Sequence, residues 1–393
     1  MRIAVVIESF NPAAGGNERS TRQIVEELVG RGHHVTLLTG HCPPGVSIDG
    51  ADLRAMSPDK SSSARRLRRF ARWARHQLDD GGFDVSLSMT MAVAATVLQP
   101  RGGTIRETQR QNAALRRSAW ARAKKRLEFR LDPKQRRLLA LEAQTLADPR
   151  VRRVAALSQY VVRQLEEHYR FPASRTAVIP NAAVMPGGSA RQLAELRGPT
   201  RRRLQIPEAS VAYLFAAQNP RLKGWPTLAD ALARLQRERV PAVAILAGGF
   251  TAREQHDLDR RGLAPLCRVV GQADEMAPLY AAADVTVLPT WYDPSSKVVL
   301  ESLMTATPAI STTFNGASDH LAPPDGPPRG IVLPDPGDDE ALAAAMQRLV
   351  DPAFRRACAE ACVGLDRQLS MTCHVDALEQ LLLECAKQTS RAG

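Results

Sequence analysis

Two carboxylates, Asp293 and Glu301, stand eight positions apart in Asp-Pro-Ser-Ser-Lys-Val-Val-Leu-Glu, and two cations, Arg221 and Lys223, stand just before Gly224-Trp225. A carboxylate has enough lone pairs to accept two vicinal hydroxyls, and a helix N-terminus offers amides and a partial positive charge to phosphate. The surrounding residues supply such elements. The apolar run Val285 to Leu288 reads as a buried strand, Tyr292 to Ser295 has turn chemistry, and Ser295 or Ser296 can cap a helix that runs through Lys297, Val298 and Glu301 to Met304. Loops after strands are where open α/β sheets bind ligands. The same residues also allow a plainer reading: Lys297 and Glu301 as an exposed helical pair, Asp293-Pro294 as a turn, and Arg221 and Lys223 as a solvated basic loop.

The chain of 393 residues, 44% hydrophobic, is enough for two domains with separate cores. No window approaches eighteen uncharged apolar residues and Met1-Arg2 leads straight into a strand-like run, so the expectation is a cytoplasmic protein, peripheral on a membrane. Six scattered cysteines do not resemble a disulfide framework. Cys358, Cys362 and Cys373-His374 lack a fixed metal-ligand frame and read as small helix positions.

The net charge of +12 is uneven: residues 1–200 hold 33 Lys and Arg against 18 Asp and Glu, the remainder 20 against 23. Lys60–Arg75 has seven cations and no acid, with Leu67, Phe70, Ala71 and Trp73 between them; Arg101–Arg137 has thirteen cations and three acids, with Leu115, Trp120, Leu127 and Phe129. Both segments read as amphipathic and suited to an anionic membrane surface.

Ile3–Ile7 and Val35–Thr39 read as parallel strands around a helix from about Glu18 to Val29, with Gly15-Gly16 in the first crossover. No G-x-G-x-x-G accompanies them, which removes the main support for a dinucleotide oxidoreductase. Val151–Leu157, a helix capped by Ser158, and Thr176–Asn181 continue the pattern, and Pro186-Gly187-Gly188 with Gly198-Pro199 read as a linker near residue 190. Strand and helix alternate again from Ala212 onward, giving a second doubly wound sheet.

Taken together, the spacing Asp293-x7-Glu301, the Pro-led strand Thr307–Thr312, Gly15-Gly16, Ile179-Pro180-Asn181 and Lys223-Gly224 resemble the retaining GT-B glycosyltransferases of family 4. The Tyr-Asp-Pro-Ser-Ser form is most like the lipopolysaccharide core glucosyltransferase I branch, whose loop also carries Asp in place of the family's first Glu. The resemblance implies an α/β fold of two Rossmann-like doubly wound domains facing a cleft: residues 1–190 on the acceptor side, 191–370 binding a nucleotide sugar, and 371–393 a terminal helix crossing back to the first domain. It implies transfer of a hexose, glucose from a UDP-sugar, to a lipopolysaccharide core or other membrane glycolipid at the cytoplasmic face of the inner membrane. Arg221, Lys223, Gly15 and Gly16 would face the donor diphosphate with the helix start at Ser295, Ser296, Lys297 and Val298, Glu301 the ribose, and Asp293 the hexose. The family's acceptor-loop His is missing from Gln99–Glu107, so no catalytic His carries over, though Thr104 or Arg106 could contact the acceptor or sugar. The only Asp-x-Asp, Asp257-Leu258-Asp259, falls in a charged helical run, so no metal cofactor is expected. The basic half would also suit a nucleic-acid binder, although no nucleic-acid motif accompanies it and no such partner is expected, and the fold would also suit a sugar-nucleotide epimerase.

Overall fold

The computed structural model describes residues 1–12, 15–58 and 61–390. In chain order the first elements are β1 (Arg2–Ile7), α1 (Gly16–Gly30), β2 (His34–Thr39), β3 (Asp52–Ala55), α2 (Ser63–Asp80), β4 (Val85–Ser88), β5 (Val97–Leu98), α3 (Ile105–Ala114), α4 (Ala119–Leu131), α5 (Pro133–Ala147), β6 (Arg153–Ala156), α6 (Gln159–Tyr169) and β7 (Thr176–Val178). There follow α7 (Ala190–Arg203), β8 (Val211–Ala217), α8 (Trp225–Arg237), β9 (Ala242–Gly248), α9 (Ala252–Arg260), β10 (Cys267–Gly271), α10 (Ala277–Ala282), β11 (Val285–Val287) and α11 (Lys297–Met304). The chain closes with β12 (Ala309–Thr312), β13 (Gly330–Leu333), α12 (Asp339–Arg348), α13 (Pro352–Glu360), α14 (Leu365–Gln368) and α15 (Met371–Ser390).

Two compact units result, one holding the residues through Ala182 together with α15, the other Ala183–Ser370. The first contains a seven-stranded parallel sheet in the order β3-β2-β1-β4-β5-β6-β7, the second a six-stranded parallel sheet in the order β10-β9-β8-β11-β12-β13. Both are doubly wound Rossmann-like sheets. Their inner strands are apolar throughout because helices cover both faces. Ile3, Val5 and Ile7 of β1 pack with α1 and α15, while Ala4 and Val6 pack with α2 and α5. In the second unit Tyr213 and Phe215 of β8 meet α8, α11 and α12, and Ala212 and Leu214 meet α10.

Helix α15 belongs to the first unit, as its apolar stripe requires. Val375, Leu378, Leu382 and Cys385 are buried beside β1 and α1. Its polar side is held too: Glu379 accepts from Arg31 at 2.7 Å and pairs with His33 Nε2 at 2.6 Å. His374 Nδ1 lies 2.7 Å from the Pro180 carbonyl, so that nitrogen carries the proton, and its Nε2 accepts from Gln99.

The passage between units occurs at Ala182/Ala183, eight residues before the expected position near 190. Ala183 already lies in the second core, and its amide donates to Leu369 O at 3.0 Å. The stretch read as a linker carries α7, with Pro199 inside the helix. What holds α7 is a contact remote in sequence. Arg197 and Arg201 reach Asp284 at 2.5 and 3.0 Å, and Asp284 also accepts from the Ala212 amide at 2.8 Å.

Burial by itself would raise the Asp284 carboxyl, but the Ala212 amide and the two guanidinium groups outweigh it and hold it below its ordinary value of 3.8. A depressed folded value means that the stabilisation is fully present above 3.8 and is lost as pH falls through the folded value. Asp284→Asn should therefore lower the melting temperature at pH 7 and differ progressively less from wild type as melts are taken into acid. A difference independent of pH would contradict this account.

Candidate functional site

In the second unit, β8 pairs with β9 on one side and with β11 on the other. The chain leaves β8 toward β9 and β10, then restarts at β11 and proceeds away through β12 and β13. The loops after β8 and β11 thus part company at adjacent strand ends, the place where an open α/β sheet forms a crevice. Residues 218–224 and 288–296 are those two loops. Arg221 and Lys223 lie in one and Asp293 in the other.

Gly224 decides how closely the loops approach. Its φ is +90°, and a Cβ there would fall 2.0 Å from Pro289 O. Only glycine fits both the backbone angle and the contact. The loops are then stitched together by Trp291 N donating to Leu222 O at 3.0 Å. Lys223 Nζ meets Asp293 Oδ2 at 2.6 Å and donates to Tyr292 O at 3.0 Å. Both side chains are mostly buried, so each charge depends on the other for compensation.

Asp293 is also a turn residue, since its Oδ1 accepts from Ser295 N at 3.1 Å. Its backbone forms a parallel bridge with Asn315, a residue the sequence did not single out. Buried Asn315 accepts from Ser296 N at 3.1 Å and Ala317 N at 3.0 Å, and donates to Ser311 Oγ at 2.9 Å. It fixes the start of α11 to the end of β12. Ser296 occupies the N-cap position, but its side chain makes no capping bond. Ser295 is buried beside it, and Val298 packs against the second core face. Lys297 stands at the first helical position, half-buried.

Glu301 projects from the second turn of α11 and accepts from the Tyr280 hydroxyl at 2.8 Å. Burial and the neighbouring carboxylate push that hydroxyl well above its ordinary value, so Tyr280 acts as a fixed donor that orients Glu301. Tyr280 sits in α10, and nothing in its spacing announces the contact. Together, Lys223, Asp293 and Glu301 offer one cation and two carboxylates around a helix start. That set can engage a diphosphate and several sugar hydroxyls.

Gly15 and Gly16 belong to the first unit, at the start of the 15-residue helix α1. Among the described residues a Cβ at Gly16 would meet nothing within 4 Å, whereas one at Gly15 would approach the flexible Glu18 carboxylate at 2.6 Å. This end of α1 opens on the first unit's own reversal point, where β1 pairs with both β2 and β4. Two cavities of about 450 and 300 Å³ flank Glu8-Ser9 there, the first including His41 and Arg66, the second Glu18 and Gly102-Gly103. The Glu8 carboxyl opens onto both cavities while their walls raise it above its ordinary value, with Lys134 and Arg66 pulling partly back. Sequence reasoning passed over Glu8, although a residue immediately after a first parallel strand stands at the ligand-binding edge of such a sheet.

Of the two residues expected to contact the acceptor or sugar, Thr104 is withdrawn from the surface and Arg106 is exposed. Thr104 is fully buried as the N-cap of α3 and donates to Gln164 Oε1 at 3.1 Å. Arg106 donates to the His168 carbonyl, and its amide, with that of Ile105, is capped by buried Glu142.

The two basic segments differ. Lys60 lies outside the described residues. In α2, Leu67, Phe70 and Ala74 are buried against β1 and β2, so its apolar side belongs to the core and is not available to lipid. The reading of Lys60–Arg75 as a lipid-facing amphipathic helix is corrected on that ground. Helix α4 buries no residue, and Trp120, Leu127 and Leu131, spaced to share one face, are 73%, 55% and 68% exposed. Arg122, Lys124, Lys125, Arg126 and Arg130 lie among them.

Asp257 is taken up by Arg260 and Arg261 at 2.7 and 3.0 Å and Asp259 by Gln255 at 3.1 Å, within α9. Cys358 and Cys362 are buried core positions, and Cys362 Sγ donates to the Cys358 carbonyl. Among the described residues no helix is long and apolar enough to cross a membrane.

Residues 14–183 match the family described as Glycosyltransferase Family 4, and residues 210–352 match Glycosyl transferases group 1. The lipopolysaccharide glucosyltransferase WaaG of Escherichia coli (strain K12) is 21% identical over 379 residues, 92% of each chain. The lipopolysaccharide core biosynthesis glycosyltransferase LpsE of Rhizobium meliloti (strain 1021) is 32% identical over 164 residues, 41% of this chain and 46% of that protein. The crystal structure of WaaG, a glycosyltransferase involved in lipopolysaccharide biosynthesis, superposes with a TM-score of 0.76 at 18% identity over 97% of this chain and 99% of that one. Anabaena Alr3699/HepE in complex with UDP and glucose gives 0.66 at 17% identity over 97% and 99%.

The contact at Gly224 provides the test of the site's construction. Gly224→Ala should lower folding stability by about 2–4 kcal/mol in urea or thermal unfolding, from the strained angle and the overlap with Pro289. Unchanged stability would mean that the loops do not depend on their close approach.

Proposed function

This chain is a GT-B glycosyltransferase of family 4, and on that premise we propose that it moves glucose from UDP-glucose to a glycolipid of the lipopolysaccharide-core kind, with retention of configuration. The observation that carries the reading is the pairing of Lys223 with Asp293 where the two loops diverge. The likeness to WaaG along nearly the whole chain supports the lipopolysaccharide acceptor, and the fold shared with a protein holding UDP and glucose supports the donor.

Bond cleavage leaves negative charge on the departing diphosphate, and catalysis requires that this charge be met better in the transition state than in the ground state. Lys223 is the group for it. Its charge is paired with Asp293. Donor binding would place the diphosphate against Lys223 and Arg221, with the first-turn amides of α11 also serving phosphate. Asp293 would then accept hexose hydroxyls, and Glu301, oriented by Tyr280, those of the ribose. No side chain here is proposed as a covalent nucleophile; attack comes on the face the diphosphate leaves, and a β-phosphate oxygen takes the acceptor proton. With cations and helix amides supplying the charge, turnover is proposed to need no divalent metal.

The first unit is proposed to take the acceptor at the Glu8 cavities, and α4 to rest on the membrane that carries it. Trp120, Leu127 and Leu131 would enter the interface while the surrounding cations meet anionic headgroups. A buried polar network centred on Glu107 and Glu142 ties α3 and α5, which flank α4 in the chain, to α6.

Lys223→Ala should reduce kcat about 100- to 1000-fold while the donor KM changes much less, as expected of a group acting on developing charge. Unchanged turnover would refute the role, and loss of wild-type activity in EDTA with recovery on adding Mg²⁺ would refute the metal-free route. Replacing Trp120 and Leu127 with Ser should weaken co-sedimentation with phosphatidylglycerol vesicles about tenfold or more per residue, with the fold intact by circular dichroism. Equal vesicle binding would remove α4 from the membrane contact.

A further inference from the structure

Beside the Glu8 cavities lies a second concavity of about 170 Å³, bounded by α2 and α5 and floored by Ala92, Val93 and Leu141. Arg68, Arg72 and Arg75 come to it from successive turns of α2, and Arg137 from α5. Asp148 is the one acid on its wall, and that carboxylate is shared: Arg75 reaches Oδ2 at 3.4 Å, while Oδ1 accepts from the Arg150 amide at 3.0 Å with the Arg150 guanidinium 3.9 Å away. The groove therefore carries a large positive excess. Arg137 Nε is buried there with no hydrogen-bond partner, an unmet donor whose burial carries a cost. The apolar side of α2 is packed in the core, so these cations stand on its solvent side.

We propose that this groove binds a phosphate monoester, held by Arg68, Arg72 and Arg137. Guanidinium groups match the multiply charged edge of phosphate with paired donors, and Arg68 and Arg72 present theirs from the exposed side of α2 while Arg137 Nε is buried. Ala92 lines both this groove and the smaller Glu8 cavity, so a sugar in that cavity would have its phosphate substituent within reach of the arginines. The phosphate is accordingly assigned to a phosphorylated sugar of the acceptor. That assignment rests on the acceptor reading above; the phosphate site itself does not.

The test uses the full-length protein at constant ionic strength. Inorganic phosphate, and then glucose 6-phosphate, should raise the melting temperature saturably against a chloride background. In Arg72→Gln/Arg137→Gln the phosphate affinity should fall about tenfold or more, with the ligand-free melting temperature and UDP-glucose binding unchanged. Arg68→Gln/Arg72→Gln serves as a second pair confined to α2. The same response in chloride alone, or an undiminished response in both pairs, overturns the site. Competition between glucose 6-phosphate and inorganic phosphate supports the sugar assignment. An arginine-dependent gain seen only with phosphatidic-acid vesicles overturns it in favour of a lipid headgroup. Absence of UDP-glucose binding from wild type would sink the donor reading while leaving the phosphate result standing.

Discussion

A parallel sheet that extends in both directions from a central strand must let two neighbouring loops diverge, and each unit of this protein is organised around that requirement. Helices on both faces bury the sheet, so a ligand can approach only at an edge, and the strand ends where the loops part are the open edge. In the second unit the divergence lies between β8 and β11, and every residue of the candidate site hangs from the loops or the helix that follow them. In the first unit it lies between β1 and β4, and the cavities around Glu8 occupy it. The same covalent logic, used twice, yields one site rich in paired charge and another lined by carboxylates and glycines.

Charge compensation distinguishes what is structural from what is available for chemistry. Asp284 is saturated by two arginines and an amide, and it ties α7 to the sheet. Asp257 is likewise absorbed by its own helix. Lys223 and Asp293 compensate each other as a single pair at an open edge, so a ligand with one anionic and one hydroxyl-bearing part can replace each partner's contact without leaving a buried charge alone. Glycine at 224 is what makes that pair geometrically possible, since any side chain would force the loops apart.

The excess basicity of the first half divides into two roles. Helix α2 spends its apolar side on the core and turns Arg68, Arg72 and Arg75 to a groove, whereas α4 buries no residue and keeps Trp120, Lys124, Arg126 and Arg130 exposed. Both look alike as strings of Arg with Leu, Phe and Trp. Which side is covered depends on the sheet beneath, and only α2 has one.

Strand and helix alternation and the doubly wound class were legible from the amino-acid order because they are local periodicities. The returning terminal helix and the candidate residues Gly15, Gly16, Lys223, Asp293 and Glu301 were named with the help of the family resemblance. Tyr280, Asn315 and Glu8 were not: Tyr280 and Asn315 meet Glu301 and Asp293, 21 and 22 positions away, and Glu8 shares a cavity with His41, more than 30 positions away. The helix over Ala190–Arg203 was misread as a linker since Pro and Gly are local signals, and the Asp284 contact that overrides them is not. Sequence alone determined most of the elements that form and which side chains are candidates for chemistry, through spacing and residue type. Tertiary structure decided which charges are spent on the fold and which face an open edge, because burial and pairing depend on segments that meet only when both sheets are built.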